Sequence, residues 1–501
     1  MNDIDGILQG LHTLFQLQTL FICFAGVFMG TLTGVLPGIG PMAALSLLMP
    51  LTYYMAPHDA LIFLSGIYYG TQYGGAITSI WLNIPGTATS AVTCIDGNPM
   101  ARAGHGRQAL TAAIGASFTG SMIGIAVIVL FAPVLARFGT QFGPSEYFSA
   151  MLLGLIASAT VGGGSTLKNL AMVFAGVLLG LVGQDVNSSI ARFNFGIREL
   201  DTGLSVVALA MGAFGLSEIM GNINIKNYTA NAMDMAAKGG EFWRSTVAKI
   251  WRPIFRGTAV GSFFGTLPGT GPGIASFMAY ALEKKVSRTP ERFGTGMIEG
   301  VAAPEAANNS AAMTAFIPTL MLGIPGEVTM SLMLGAMIVH GIQPGPMLMN
   351  TNPEVFWGLI FSFGLGNVLL LMLNLPLLRL WVSILRVPFN ILYPVIVVLV
   401  CIGTYSVHNS TFDLFVVTAA GLLGFVMVRS GFGLAPLLLG FVLGPMVETN
   451  FRRAMLLARG DLTTMIMTPI SITFLALTGL LLLVTIRSEL KGRAGLPISE
   501  D

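Results

Sequence analysis

The sequence predicts an all-α polytopic membrane protein: two inverted-topology repeats, each with a Pro/Gly-broken re-entrant hairpin, and about 11–12 spans in all. Three observations lead there. The 501 residues are 54% hydrophobic and only 10% charged, whereas roughly a quarter of the residues in soluble domains are charged. The stretch from Gly30, ending Gly34-Val35-Leu36-Pro37-Gly38-Ile39-Gly40-Pro41, returns 231 positions later from Gly261, ending Gly265-Thr266-Leu267-Pro268-Gly269-Thr270-Gly271-Pro272; six glycine and proline positions and one leucine coincide without a gap. The charges flanking the two copies are opposite in sign. No Lys or Arg precedes Arg102, so Asp3, Asp5 and Asp59 bracket the first copy. The second lies between a group from Lys226 to Arg256 and the cluster Lys284, Lys285, Arg288 and Arg292. By the positive-inside rule both ends of the first copy belong outside the cytoplasm and both ends of the second within it.

Taken in order, the apolar segment Leu14 to Tyr54 starts and ends on one side, and the Leu36 to Pro41 break supplies its turn. Ala60 to Ile84 is long enough to span, and the loop after it, with Arg102, His105 and Arg107, is expected in the cytoplasm. Spans at Ala109 to Leu135, Tyr147 to Val161, Leu170 to Val182 and Leu204 to Met220 complete a first repeat, residues 1–220. Residues 221–253 are the one long polar stretch and read as a cytoplasmic linker. The second repeat, residues 254–501, opens with Gly257 to Leu267, an arm of about 16 Å that covers half of a hydrocarbon core and returns. Spans follow near Ile298 to Ile324, Val355 to Leu378, Phe389 to Tyr405, Leu414 to Val428, Gly433 to Val447 and Thr464 to Ile486. Arg452, Arg453 and Arg459 then fall outside, against the rule.

A net charge of +2 without a Lys/Arg block argues against nucleic acid and against a polybasic lipid anchor, which leaves the lipid bilayer itself as the surrounding partner. Cys23, Cys94 and Cys401 stand far apart in apolar context, which speaks against disulfide and metal roles. The start, Met1-Asn2-Asp3-Ile4-Asp5, lacks the positive region of a cleaved signal peptide. No His-Glu-x-x-His, Gly-x-Gly-Asp or Gly-Lys-Ser/Thr occurs, so an intramembrane protease or phosphate-loop ATPase is not expected, and the chain reads as a non-enzyme.

Within an apolar segment, Pro-Gly-x-Gly-Pro frees backbone groups that lipid cannot satisfy, so it belongs where protein or water surrounds it. Two such breaks, one per half, point to a transporter's binding centre. Pro41 and Pro272 suit a first helical position, and the amides near Gly38, Gly40, Gly269 and Gly271 are expected to face an anion. No Lys or Arg lies inside the spans near the breaks. A second pair follows: Asn83-Ile84-Pro85-Gly86-Thr87 and Gly323-Ile324-Pro325-Gly326-Glu327. These are either simple helix ends or part of the same cradle. The candidate substrate contacts are therefore Pro37, Gly38, Gly40, Tyr73, Asn83, Pro85, Gly86, Thr87, Pro268, Gly269, Gly271, Pro325 and Gly326. Thr71, Gln72 and Tyr73 in the first half, and Glu305, Asn308, Asn309, Ser310 and Thr314 in the second, are costly intramembrane polar residues. They serve either interhelical hydrogen bonding or coupling. Glu305, Asn308, Asn309 and Ser310 are the candidates for Na⁺, and Glu305 alone for H⁺, with no other cofactor.

These motifs, with Tyr68-Tyr69-Gly70-Thr71-Gln72-Tyr73-Gly74-Gly75 and Gly300-Val301-Ala302-Ala303-Pro304-Glu305-Ala306-Ala307-Asn308-Asn309, resemble the large membrane subunit of the bacterial tripartite tricarboxylate transporters, from about Gly26 to Glu448. The family's glycine-rich signature falls on Gly34, Leu36, Pro37, Gly38 and Gly40, and its Pro-Glu-Ala-Ala-Asn-Asn signature on Pro304 to Asn309. The resemblance implies an inner-membrane permease with a small membrane subunit, a periplasmic solute-binding protein, a Na⁺ or H⁺ gradient, and citrate-like tricarboxylates or other organic-acid anions as substrate. A carboxylate-permeable channel and an intramembrane enzyme are the competing readings. Thr71-Gln72 stands where a first-half match to Asn308-Asn309 is looked for, so the two halves of the site are not expected to be equivalent.

Overall fold

The structure is a computed structural model, and it describes residues 3–36, 39–139, 141–161, 165–185, 188–222, 240–267, 270–385 and 389–490. The chain is an all-α polytopic membrane protein; one two-residue β-hairpin, Gly183–Gln184 with Ala191–Arg192, interrupts the helices. The first half contains α1 (Asp3–Leu14), α2 (Leu17–Val35), α3 (Pro41–Leu48), α4 (Pro57–Leu82), α5 (Ala91–Met100), α6 (Gly106–Gly139), α7 (Pro144–Val161), α8 (Thr166–Gly180), α9 (Val206–Ala210) and α10 (Ser217–Asn222). The second opens with α11 (Gly240–Thr266), α12 (Gly271–Val286), α13 (Glu299–Thr314), α14 (Phe316–Leu322), α15 (Met330–Val339) and α16 (Leu348–Thr351). It closes with α17 (Pro353–Asn374), α18 (Leu378–Ile384), α19 (Phe389–His408), α20 (Thr411–Arg429), α21 (Leu434–Leu457), α22 (Leu462–Ile466) and α23 (Pro469–Leu490). Among the described residues five segments are long and apolar enough to cross a bilayer alone: Leu17–Val35, Ala88–Val134, Pro353–Asn374, Thr411–Arg429 and Leu434–Leu457.

Two helices are buried all round and form the centre. In α4 every residue from Asp59 to Trp81 is buried, and in α13 every residue from Gly300 to Thr314, as befits core rather than surface helices. Each is approached by the helix that precedes its break. Glycines make this possible: a Cβ on Gly26, Gly30 or Gly34 of α2 would stand 3.1, 2.7 and 2.7 Å from the Cα atoms of Phe63, Ile67 and Thr71 in α4. On Gly257, Gly261 or Gly265 of α11 the same distances to Ala303, Ala307 and Ala311 of α13 are 3.1, 2.7 and 2.7 Å. Contact of this kind is backbone on backbone, the means by which membrane helices associate without a hydrophobic drive.

The breaks form where the sequence places them, but their arms reach further than expected. The α2 arm has 19 residues, about 28 Å of helix, close to a full hydrocarbon crossing. The α11 arm has 27 residues, about 40 Å, and absorbs residues 240–253 of the expected linker; residues 223–239 lie outside the described residues. Arg256, taken as the polar boundary of that arm, sits within the helix because Glu283 of α12 holds it bidentately at 2.6 and 2.8 Å. Asp96 to Pro99 form the end of α5. The fully buried Asp96 carboxylate accepts hydrogen bonds from the amides of Gly294, Gly296 and Met297 at 2.8–2.9 Å and from the Tyr280 hydroxyl at 2.9 Å. It thereby ties the first half to the segment between α12 and α13. Arg452 is no isolated cation either. With Arg192 it meets Glu448 and Asp185 at 2.6–3.4 Å, so the end of α21 and the β-hairpin share one pole.

Candidate substrate and ion site

At the first break α2 ends at Val35, Leu36 turns extended, and α3 starts with Pro41 behind an extended Gly40. The missing proline N–H costs nothing there. At the second, Thr270 bonds back to the carbonyls of Phe264 in α11 and of Leu267 just beyond it, and α12 starts at Gly271 with φ of +59°, a conformation glycine adopts without strain. Each start meets a carboxylate of the protein. The Gly40 amide donates to Glu218 of α10 at 3.0 Å, and Gly271 lies against the Glu327 side chain. A cavity of about 760 Å³ opens beside the first break, with Met42, Ser217, Glu218, Val328 and Arg429 among its walls.

The Ile-Pro-Gly turns are built alike. Asn83 and Gly323 both end their helices in the left-handed region, at φ of 59° and 67°. The Gly86 amide donates to Ser79 at 3.4 Å and the Gly326 amide to Thr319 at 3.1 Å. A Cβ on Gly86 would lie 2.5 Å from the Cα of Gly75, and one on Gly326 2.8 Å from that of Ala315. Around the first turn the hydroxyls form a chain: Thr89 donates to Gln72 at 2.7 Å, Thr87 meets Thr89 at 2.8 Å and donates to Ser90 at 3.1 Å, and Ser79 donates to Ser90 at 2.8 Å.

Between the two turns lies the polar face of α13. Glu305, fully buried, accepts from Thr93 of α5 at 2.5 Å and from Ser117 of α6 at 3.2 Å. Asn309 donates to the Ser117 hydroxyl at 2.8 Å and to the Glu305 carbonyl at 3.1 Å, which leaves its Oδ1 without a partner. Asn308 is 1% exposed, and neither its Nδ2 nor its Oδ1 is paired. A carboxylate and two amide oxygens on one buried helix, crossed by hydroxyls from the other half, supply oxygen ligands for a hard cation or a path for a proton.

Residues 20–439 match the model of the tripartite tricarboxylate transporter TctA family. The chain belongs to this family. It is 47% identical over 481 residues, 95% of each chain, to an uncharacterized 52.8 kDa protein in the TAR-I ttuC' 3' region of Agrobacterium vitis. It is 50% identical over 233 residues, 46% of this chain and 96% of the other, to an uncharacterized protein in the TAR-II ttuC' 3' region of the same organism. No solved structure matches.

In this TctA-family chain the expected site residues separate into groups. Gly40, Gly86, Thr87, Gly271, Pro325 and Gly326 lie in the paired turns, whereas Pro37, Gly38, Pro268 and Gly269 lie outside the described residues. The Gly40 amide, expected to face an anion, already donates to Glu218, and the amides of Gly86 and Gly326 donate to Ser79 and Thr319. Asn83 and Pro85 are exposed, and Asn83 acts through its backbone conformation. Tyr73 is buried with its hydroxyl on Asn367 of α17 at 3.1 Å. Glu305, Asn308 and Asn309 share the inner face of α13. Ser310 faces α11 instead, bonded to Ser262 at 2.6 Å and to the Thr258 carbonyl at 3.2 Å. Thr93, Ser117, Glu218 and Asp96 escaped the sequence reading. Of these only Glu218 carried a signal, as the one acid in the apolar stretch Leu204 to Met220.

Proposed function

We propose that the chain is the large permease subunit of a tripartite secondary transporter in the bacterial inner membrane, importing citrate-like tricarboxylates or related organic acids that a periplasmic binding protein delivers. A small membrane subunit completes the system, and a Na⁺ or H⁺ gradient drives it. The observation that carries this reading is the buried Glu305, held by Thr93 and Ser117 of the other half beside the amides of Asn308 and Asn309. A carboxyl group kept inside the membrane and held across a seam between two repeats suits an ion whose binding alters how the halves meet. The chamber lined by Glu218 and Arg429 beside the first break supplies a route for the anion, and inverted repeats would give it alternating access.

The test is uptake of labelled citrate into proteoliposomes holding this chain and its small partner, with the binding protein outside. Accumulation against the citrate gradient is expected only with an inward Na⁺ or H⁺ gradient and only with the binding protein. Equilibrative flux without either would establish the channel reading instead.

A further inference from the structure

We propose that Asn308 recognises a hydroxyl beside a carboxylate on the cargo, so that the site takes hydroxylated polycarboxylates in preference to their deoxy counterparts. This rests on the transport reading above and goes beyond it by assigning one residue to one chemical group.

The argument begins with hydrogen bonds that the protein leaves unmade. A buried primary amide with both ends unpaired is rare, because each end forfeits its bonds to water. Asn308 is in that state, 1% exposed, with Nδ2 and Oδ1 both unpaired among the described residues. Beside it on α13 the Asn309 Oδ1 is open too, but that residue's other end is paired. Both oxygens of Glu305 are taken, the Asn309 Nδ2 is taken, and the backbone donors of Gly40, Gly86 and Gly326 are taken.

The direction of the side chain follows from helix geometry. Glycines of α6 press on Ala306, Ser310 and Met313, those of α11 on Ala303, Ala307 and Ala311, and Ala275 and Ala279 of α12 on Ala307 and Ala311. At 3.6 residues per turn the arc left over carries Val301, Glu305, Asn308 and Ala312. Across that arc lie α5, from which Thr93 reaches Glu305, and the Ala88–Ser90 turn that follows the first Ile-Pro-Gly. Asn308 therefore projects to the seam between the halves.

What satisfies both ends decides the ligand. A carboxylate offers only acceptors, so it pairs with Nδ2 and leaves Oδ1 bare. A hydroxyl on the neighbouring carbon donates to Oδ1, and a hydroxy acid thus completes the amide with two adjacent groups. A site that hydrogen-bonds a substrate hydroxyl rejects the analogue that lacks it, because its own polar atom is then stranded.

The experiment compares citrate with propane-1,2,3-tricarboxylate, the same skeleton without the hydroxyl. Because the periplasmic protein imposes its own selectivity, binding is measured calorimetrically on the purified full-length chain at fixed NaCl. The wild type is expected to favour citrate by on the order of 10- to 100-fold, the scale of one stranded buried polar atom. Asn308→Ala is expected to bring that ratio within about 3-fold of unity, chiefly by weakening citrate. Should Asn308→Ala fail to fold, Asn308→Gln, which displaces the amide by one methylene, is expected to shrink the ratio likewise. A wild-type ratio near one, or a variant that keeps the wild-type ratio as a pocket occupied by water alone would, overturns the assignment while leaving transport standing. So does a variant whose only change is its half-saturating Na⁺ concentration, which would give the amide to the cation. Binding of neither acid to the wild type overturns both readings.

Discussion

The two halves share a scaffold and differ in what fills it. The glycines of the leading helices correspond at an offset of 231, Gly26, Gly30 and Gly34 against Gly257, Gly261 and Gly265, while their partners in α4 and α13 correspond at 240, Phe63, Ile67 and Thr71 against Ala303, Ala307 and Ala311. The segment joining the two helices is thus nine residues longer in the second half, 240 less 231. In this register Asn83 matches Gly323, Ser79 matches Thr319 and Gly75 matches Ala315, each in the same structural role. The polar positions part company: Ser65 stands against Glu305, Tyr68 and Tyr69 against Asn308 and Asn309, and Thr87 against Glu327. Backbone-on-backbone contacts admit no side chain and so hold their residue type, whereas polar positions are free to follow chemistry. The first half links the hydroxyls around its turn to one another and leaves Ser65 open; the second keeps a carboxylate and an open amide.

If that division of labour is right, the largest effect comes from its sharpest contrast. Glu305→Ala strands the Thr93 and Ser117 hydroxyls in the core, and a lost hydrogen-bonded buried charge is worth about 3 kcal/mol, so gradient-driven uptake is expected to fall roughly 100-fold. Ser65→Ala removes an unpaired hydroxyl at the matching place and is expected to change uptake by less than about 2-fold. Initial rates at equal membrane content check both. Comparable losses in the two variants would break the comparison, since polar chemistry would then be shared between the halves.

The scaffold makes the opposite forecast, equality. Gly34→Val and Gly265→Val each thrust a Cβ to within 2.7 Å of a facing Cα. Overpacking of that order costs about 1–3 kcal/mol, and neither helix pair can separate without moving its break. Thermal unfolding of the purified variants is expected to show losses that agree within about 1 kcal/mol. A clear inequality would mean that the two helix pairs carry different shares of the fold.

The division also explains what could be read from the sequence. Membrane class, helical content and the four breaks were legible because composition and Pro/Gly punctuation act locally. Glu305, Asn308 and Asn309 were legible because polar residues in an apolar stretch are conspicuous. The register was not. Thr71-Gln72 was set against Asn308-Asn309, an offset of 237 that fits neither the 231 of the leading helices nor the 240 of their partners, and only the helix contacts show that the counterpart is Tyr68-Tyr69. Thr93 and Ser117 were hidden for a related reason. They lie 212 and 188 residues from Glu305 in sequence, and a threonine or serine in an apolar helix otherwise bonds its own backbone. The α11 arm runs past its expected bound because Arg256 reads as a boundary until Glu283, 27 residues on, is seen to neutralise it.

The smallest effect isolates the backbone from the side chain. Asn83 and Gly323 end α4 and α14 in the same left-handed conformation, the one exposed and the other buried. Alanine in that region is strained by about 1 kcal/mol, so Asn83→Ala and Gly323→Ala are each expected to lose about that much stability. Asn83→Gly is expected to leave stability within about 0.5 kcal/mol, because glycine relieves the strain while it loosens the unfolded chain. At Gly323 there is room for a Cβ, whose nearest neighbour would be the Pro344 carbonyl oxygen at 3.6 Å. Conformation alone therefore governs that site too, and Gly323→Asn should cost less than Gly323→Ala because asparagine tolerates the left-handed region. Unfolding measured on the four variants orders them; a Gly323→Asn loss larger than that of Gly323→Ala would show that side-chain volume, and not the turn the two halves share, sets the second break.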